Sequence, residues 1–187
     1  MGKDFAGGDS VTEMLTGLAL DYTPAKVTSA QVTEALRRRH KPRFNGSAPS
    51  WVFLEEVRLG PGFAPGSLQQ IDAWAIHTWP SAREMVAYEV KVSRSDFQRE
   101  LAKPVKRKAA LFYSNRFYFA VPKDLIRLDE LPPECGLIEV LEDGRTKVTV
   151  EAPWRDCHPP SWHFLASIAR RVALLTTGEA EPGTGDV

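Results

Sequence analysis

Two segments of this chain that are otherwise typical of buried strands carry charged residues in their middle. The segment 69–78 contains Asp72, and the segment 85–93 contains Glu89 and Lys91. Because successive side chains of a strand point to opposite faces, Glu89 and Lys91 share one face, roughly 7 Å apart. A lysine among apolar residues needs an anion beside it, and two nearby carboxylates offer hard oxygen ligands to a divalent cation. The pattern therefore predicts a metal site on this pair of strands.

The composition is that of a folded protein. The chain has 187 residues, of which 43% are hydrophobic and 26% charged, so disorder throughout is excluded. The 24 Lys and Arg residues balance the 24 Asp and Glu residues, and net charge indicates no partner. No run approaches the about 18 apolar residues of a membrane-spanning helix, and no stretch has the pattern of a secretory signal. With only Cys135 and Cys157 present, we expect a cytoplasmic protein without membrane insertion.

Helix and strand patterns occupy residues 27–175, which we expect to form one domain. Residues 1–26 mix Gly, Asp, Thr and Lys around one short apolar patch, and they predict a flexible N-terminal arm or a loosely docked helix. The Gly- and Pro-containing segment 176–187 predicts a disordered C-terminal tail.

The first half of the domain reads as one helix followed by three strands. Helical spacing of apolar residues predicts a helix over 29–40, with Thr28 or Ser29 as its N-cap. Alternating and apolar runs then predict strands, separated by Gly- and Pro-rich loops and forming a meander, at 51–59, 69–78 and 85–93.

The second half adds helices and three further strands. Apolar residues about every four positions predict a helical region over about 95–114, which Pro104 kinks or divides into two helices. Ser161 caps a last helix. The fold class is α/β, a mixed sheet of about five or six strands with helices on both faces. The strands are predicted at 116–121, 136–140 and 147–152, and the buried stripe of the last helix at Phe164, Leu165, Ile168, Val172 and Leu175.

This order of elements resembles the PD-(D/E)xK nuclease superfamily, whose core is a helix, a three-strand meander, a helix and a strand. Asp72, Glu89 and Lys91 fall where the superfamily has an acid on its second strand and (D/E)-x-K on its third. The run YEVKVSRSDF at 88–97, followed by a basic helix and the strand RFYFAV, is similar to the MmcB-like DNA-repair group. The resemblance covers about residues 29–140 and implies a restriction-endonuclease-like core. One departure is that isoleucine, not proline, precedes the aspartate.

The resemblance implies Mg²⁺- or Mn²⁺-dependent hydrolysis of phosphodiester bonds in DNA, in repair or processing. Asp72, Glu89 and the backbone carbonyl of Val90 would hold the metal, which polarises a phosphoryl oxygen and lowers the pKa of an attacking water. Lys91 would position that water or stabilise the charge that develops on the phosphate. Superfamily members often add a glutamate from the first helix. Glu34, the one acid there, is predicted as a further catalytic and metal residue, although a solvated helix position explains it equally well.

Other interpretations stay open at this point. Glu89 and Lys91 alone are typical of a solvated strand pair, and only Asp72 and the order of elements favour a site. Glu56 could approach the metal if the strand register sets it beside Asp72, but a surface charge is the better interpretation. The alternative function is a non-catalytic nucleic-acid-binding or partner-recruiting accessory protein on the same fold. The pattern does not distinguish DNA from RNA, or endonuclease from exonuclease.

Basic residues predict where nucleic acid binds. Between 94 and 108, six cations outnumber two acids, and cations beside a metal site gain affinity by releasing counterions from nucleic acid. An ordinary solvated helix face is the alternative, and the cations at 37–41 carry the same ambiguity because they also suit the C-terminal dipole of the first helix. No nucleotide cofactor is expected, since the segment 60–66 lacks the spacing of a phosphate-binding loop. The predicted nucleic-acid-binding residues are Arg94, Arg99, Lys103, Lys106, Arg107 and Lys108.

Overall fold

The computed structural model describes residues 26–46, 48–59 and 69–178. The predicted N-terminal arm, apart from residue 26, and residues 179–187 of the predicted tail lie outside the described residues. None of the helices in these ranges has the length and apolar character that crossing a membrane requires. The elements are α1 (Ser29–Arg39), β1 (Phe44–Asn45), β2 (Ala48–Pro49), β3 (Trp51–Arg58), β4 (Gln70–His77), β5 (Met85–Val90), α2 (Arg94–Leu101), α3 (Val105–Phe112), β6 (Arg116–Pro122), β7 (Gly136–Val140), β8 (Thr146–Val150) and α4 (Trp162–Thr177).

Six strands form one mixed sheet in their chain order, from β3 at one edge to β8 at the other. The predicted meander is present, because β3, β4 and β5 pair antiparallel. Strands β5, β6 and β7 then pair in parallel, and β8 returns antiparallel. A parallel step needs a crossover connection, and α2 with α3 supplies the one between β5 and β6. The α/β class is confirmed, and the sheet is consistent with a restriction-endonuclease-like core.

Helices cover both faces of the sheet, as predicted. On one face Val32, Ala35 and Leu36 of α1 pack in a core that contains Tyr88 and Tyr118 of the central strands. On the other face, buried residues of α2, α3 and α4 pack over the strands: Phe97 stands edge-on to Phe119, and Phe164 edge-on to Trp74. Each fully buried side chain of this size contributes about 1.5 to 3 kcal/mol. The central strands are therefore fixed from both sides.

Capping residues set the helix boundaries as the sequence indicates. Thr28 is the N-cap of α1, and its hydroxyl accepts a hydrogen bond from the N–H of Gln31. The predicted division at Pro104 is confirmed, since α2 ends at Leu101 and α3 begins at Val105. Proline has no N–H to donate within a helix and suits the position just before a new one.

The C-terminal helix differs from the prediction in length and orientation. It continues through Thr177 and ends at Gly178, whose φ of 70° provides the left-handed cap. Residues 176–178 thus complete the helix and are not part of a tail. The predicted buried stripe is wrong at Leu165, Val172 and Leu175, which are 47%, 41% and 59% exposed. Because α4 packs beside the edge strand β3, only a narrow face of the helix is covered.

Candidate metal and nucleic-acid site

The antiparallel pairing of β4 and β5 brings the three predicted residues to one end of the sheet. Asp72 lies near the start of β4, and Glu89 near the end of β5. The last registered pair is Ala73 with Tyr88, so Asp72 and Glu89 are the next residues along the two strands. Lys91 follows directly after β5. Tertiary pairing therefore juxtaposes residues that are 17 to 19 positions apart in the sequence.

Asp72 closes the end of the β4–β5 ladder with its side chain. Its Oδ2 accepts a hydrogen bond from the N–H of Val90 at 2.8 Å. Val90 lies past the last registered pair of the two strands, so its N–H is free to bind the carboxylate. The carbonyl of the same residue also lies beyond that ladder. One carboxylate and one backbone carbonyl are thus placed side by side.

Lys91 is held between two carboxylates. Its Nζ is 2.5 Å from Oε1 of Glu89 and 3.8 Å from Oε2 of Glu100. The three side chains are only 15%, 17% and 8% exposed. A charge this far from water is destabilising unless it is paired. Glu89 and Lys91, which were predicted to share a strand face, are in contact, and Glu100 joins them as a second acid.

Glu100 is the residue that the sequence interpretation missed, since it was counted only as an acid within a basic segment. It lies on α2, three positions after the buried Phe97. Residues three apart share a helix face. The spacing of Glu100 from the apolar Phe97, and its position next to Leu101, therefore indicated that it lies on the buried face of the helix. Glu100 is one of two buried residues of this helix.

The pKa values of the cluster reflect burial of like charges. Burial, and then the negative charge of Asp72, raises the pKa of Glu89 to about 7, although Lys91 opposes the shift. Burial also raises the pKa of Asp72, against the hydrogen bond from Val90. Burial alone would lower the pKa of Lys91, but the carboxylates of Glu89, Asp72 and Glu100 outweigh it and raise that pKa. Lys91 is therefore a stable cation, and the anionic forms of Glu89 and Asp72 beside it are destabilised.

The donor set fits a hard divalent cation. Across the residues that the structure describes, no three His, Cys, Asp or Glu side chains converge on one metal position. The available oxygens are the carboxylates of Asp72 and Glu89 and the carbonyl of Val90. Mg²⁺ commonly binds through one or two carboxylates and retains several water molecules. A cation would also stabilise the charged forms of the two acids, which burial destabilises.

A cleft of about 650 Å³ opens beside this cluster, between α1 and the strand ends. Asp72 and Lys91 line it from the sheet, and Glu34 lines it from α1. The carboxylate of Glu34 is ion-paired with Arg37, which also binds Glu55 of β3. Glu34 thus reaches the wall of the cleft while engaged with an arginine.

Glu56 lines the same cleft and is opposite Asp72 in the strand register. Its neighbours Glu55 and Val57 pair with Ala73 and Ile71. Its φ of 53° lies in the left-handed region, which costs energy for a residue with a Cβ. The side chain is 66% exposed and 3.8 Å from Arg171. Glu56 is therefore a surface charge, and its strained backbone places it at the edge of the cleft.

The predicted nucleic-acid-binding residues do not form one continuous free surface. Arg94 is ion-paired with Glu130, and Arg99 with Asp96. Lys103 lines a smaller cavity, of about 240 Å³, together with Lys91. Lys108 is exposed, and the side chain of Lys106 lies outside the described part of the structure.

Arg107 requires a correction. It is 5% exposed, its Nη2 is 3.1 Å from Oε1 of Glu134, and its guanidinium lies over the ring of Phe119 at 5.9 Å from the centroid. The residue binds α3 to the sheet and to the segment before β7. The sequence could not separate it from its neighbours, because only the rotation of α3 turns Arg107 inward.

Comparison of the chain with family models, curated proteins and solved structures found no match. The chemistry of the site is therefore argued from its own geometry. Asp72, Glu89 and Lys91 are together, Glu100 supports them, and an open cleft reaches the cluster. This arrangement offers the carboxylate of Asp72 and the fixed cation of Lys91 to a ligand in the cleft, with Glu89 bound to Lys91.

Proposed function

We propose that this protein is a cytoplasmic, divalent-metal-dependent nuclease that hydrolyses phosphodiester bonds in DNA, in repair or processing. One observation carries the proposal: Lys91 lies 2.5 Å from Glu89 at the strand end where Asp72 binds the N–H of Val90. Asp72, Val90 and Lys91 line one cleft, and Glu89 binds Lys91 beside it. Carboxylates and a lysine are groups that metal-assisted phosphodiester hydrolysis uses.

Each residue has a role that follows from its position. Asp72 and Glu89, with the carbonyl of Val90, would hold Mg²⁺ or Mn²⁺, and the bound metal would activate water and polarise a phosphoryl oxygen. Lys91 keeps its proton because three carboxylates raise its pKa. The ammonium group of Lys91, which lines the cleft, would bind a substrate phosphate. Charge developing on that phosphate is then stabilised by a cation already in place.

Substitution of Lys91 tests this function. Lys91→Met keeps the length of the side chain and removes its charge, and we expect cleavage of labelled DNA with Mg²⁺ or Mn²⁺ to fall about 100-fold or more. The matched control is Lys123→Met, at a 58% exposed lysine after β6, which should cleave like wild type. Cleavage that persists in EDTA, or is unchanged in Lys91→Met, contradicts the mechanism.

The accessory-protein alternative is favoured by one specific observation. Lys91 is already ion-paired with Glu89 and Glu100, so the charge of the lysine is compensated without a metal or a phosphate. A protein of this kind binds nucleic acid with steep salt dependence and does not cleave it. Metal titration followed in parallel by binding and cleavage separates the two functions. Salt-sensitive binding with no cleavage under Mg²⁺ or Mn²⁺ selects the accessory role.

A further inference from the structure

A second cavity, of about 570 Å³, lies between the end of α1, the start of β3 and the end of β4. No carboxylate lines it, within the part of the chain that the structure describes. Since the whole chain has no net charge, this is a strong local asymmetry. The lining includes four cations and two tryptophans: Arg38, Arg39, Lys41, Arg43, Trp51 and Trp79.

The cations are presented to solvent by the chain that leaves α1. Arg39, Lys41 and Arg43 are exposed. Arg38 is fixed, because its Nη2 donates a hydrogen bond to the carbonyl of Gly144 at 3.0 Å. The helix dipole explains a basic residue in the last turn of α1. It does not explain Lys41 and Arg43, which lie beyond the helix and still face the same cavity.

The aromatic part of the cavity is built on His77. The rings of Trp51 and Trp79 both stand edge-on to it, with centroids 4.9 Å and 5.5 Å away. Both indoles are only partly buried. Nδ1 of His77 and Nε1 of Trp79 are buried without a hydrogen-bond partner among the described residues. Buried polar atoms of this kind are normally paired, and an acceptor entering the cavity would supply a partner for the indole N–H.

We propose that this cavity binds single-stranded nucleic acid, with phosphates on Arg39, Lys41 and Arg43 and a base stacked on an indole ring. Cations alone would suit any anion, including the phosphates of a duplex. Aromatic faces between cations are what unstacked bases require. The proposal deepens the nuclease function, and it rests on that function in taking the ligand to be the substrate strand.

The position of the cavity relates it to the metal site. His77 and Asp72 are five residues apart on β4, about 17 Å at about 3.3 Å per residue. One strand of a duplex covers that distance in about five nucleotides. The cavity would therefore hold a single-stranded segment a few nucleotides from the bond being cut, which favours substrates with an overhang or flap.

Binding is measured separately from cleavage, in EDTA, with a fluorescein-labelled oligodeoxythymidine and with the protein's tryptophan fluorescence. We expect the oligonucleotide to quench that fluorescence. Trp79→Ala should bind about five- to 100-fold more weakly, and Arg43→Glu should weaken binding and reduce its salt dependence. The matched control is Arg170→Glu, the same charge change at an exposed residue of α4 on the other face of the sheet, which should bind like wild type.

The outcomes are distinguishable. Equal binding by wild type, Trp79→Ala and Arg43→Glu overturns the proposal that this cavity binds single-stranded nucleic acid, whether or not DNA is cleaved. Displacement of the oligonucleotide by poly-glutamate as readily as by unlabelled oligonucleotide also overturns it and indicates an acidic protein partner. Weakened binding in both variants with normal binding by Arg170→Glu supports the proposed single-strand site. Should wild type then fail to cleave, the nuclease function fails while the single-strand site stands.

Discussion

Removing the charge of Glu89 should stabilise the metal-free protein. Its carboxyl has a pKa of about 7, raised from an ordinary 4.5 chiefly by burial. A folded-state pKa above the unfolded one means that this group's favourable contribution is complete below pH 4.5 and is lost as the pH rises through about 7. The difference of about 2.5 units corresponds to about 3 kcal/mol at alkaline pH. Glu89→Gln stays neutral throughout and avoids this loss.

The assay is urea unfolding in EDTA at about pH 5 and about pH 8. At the higher pH we expect the free energy of unfolding of Glu89→Gln to exceed that of wild type by about 3 kcal/mol, and at the lower pH by about 1 kcal/mol or less. Any constant effect of the amide, such as a weaker bond to Lys91, cancels in the difference between the two pH values. Glu142→Gln, at an exposed residue of the β7–β8 turn, should show no such pH-dependent gain. A gap of equal size at both pH values refutes the reasoning.

Added metal should offset most of the difference in stability between wild type and Glu89→Gln at alkaline pH. A ligand that binds only the folded state stabilises it by about 2.7 kcal/mol at about 100 times its Kd. Wild type should gain this on addition of Mn²⁺, and Glu89→Gln, which lacks one of two carboxylates, should gain much less. Melting curves with and without Mn²⁺ measure it. An equal gain in stability in both proteins would mean that Glu89 does not bind the metal. A gain restricted to wild type would mean that the charge of Glu89, which destabilises the metal-free protein, contributes to metal binding.

Two further predictions concern the fold. Burial, with the charge of Arg39 adding to it, lowers the pKa of His40 to about 4, so wild type should lose up to about 3 kcal/mol as the pH falls from about 6.5 to about 4. His40→Gln can still bond the Tyr88 hydroxyl, 2.6 Å from the imidazole, and should not show this loss; parallel urea midpoints for the two proteins over that range would contradict the assignment. Gly136→Ala should destabilise by about 1 to 3 kcal/mol, because a Cβ there would lie 2.4 Å from the Tyr118 ring. That Cβ would also lie 2.6 Å from the backbone nitrogen of Ala152, so an unchanged melting temperature would show that both neighbours move aside without cost.

Much of the architecture was predictable from local sequence. Alternation of apolar and polar residues locates the strands, because a strand has a period of two wherever one face is buried. Pro104 divides the second helical region for a reason that needs no tertiary contact, since proline lacks the N–H that a helix interior requires. The exposed stripe of α4 was not predictable, because helical periodicity gives a face but not the amount of sheet available to cover it.

For the site, the sequence determined which residues are the candidates for the chemistry, and the tertiary structure decided which groups they contact. Asp72, Glu89 and Lys91 stand out because a charge inside an apolar strand is unfavourable unless it is paired or binds a ligand. That Lys91 binds Glu100, and that Arg107 is buried, depends on how the helices are rotated against the sheet. The basic and aromatic cavity contains Trp51 and His77, 26 positions apart, which the β3–β4 pairing brings together. Local spacing fixes which side chains share a face of one element, but only packing between elements fixes which faces meet.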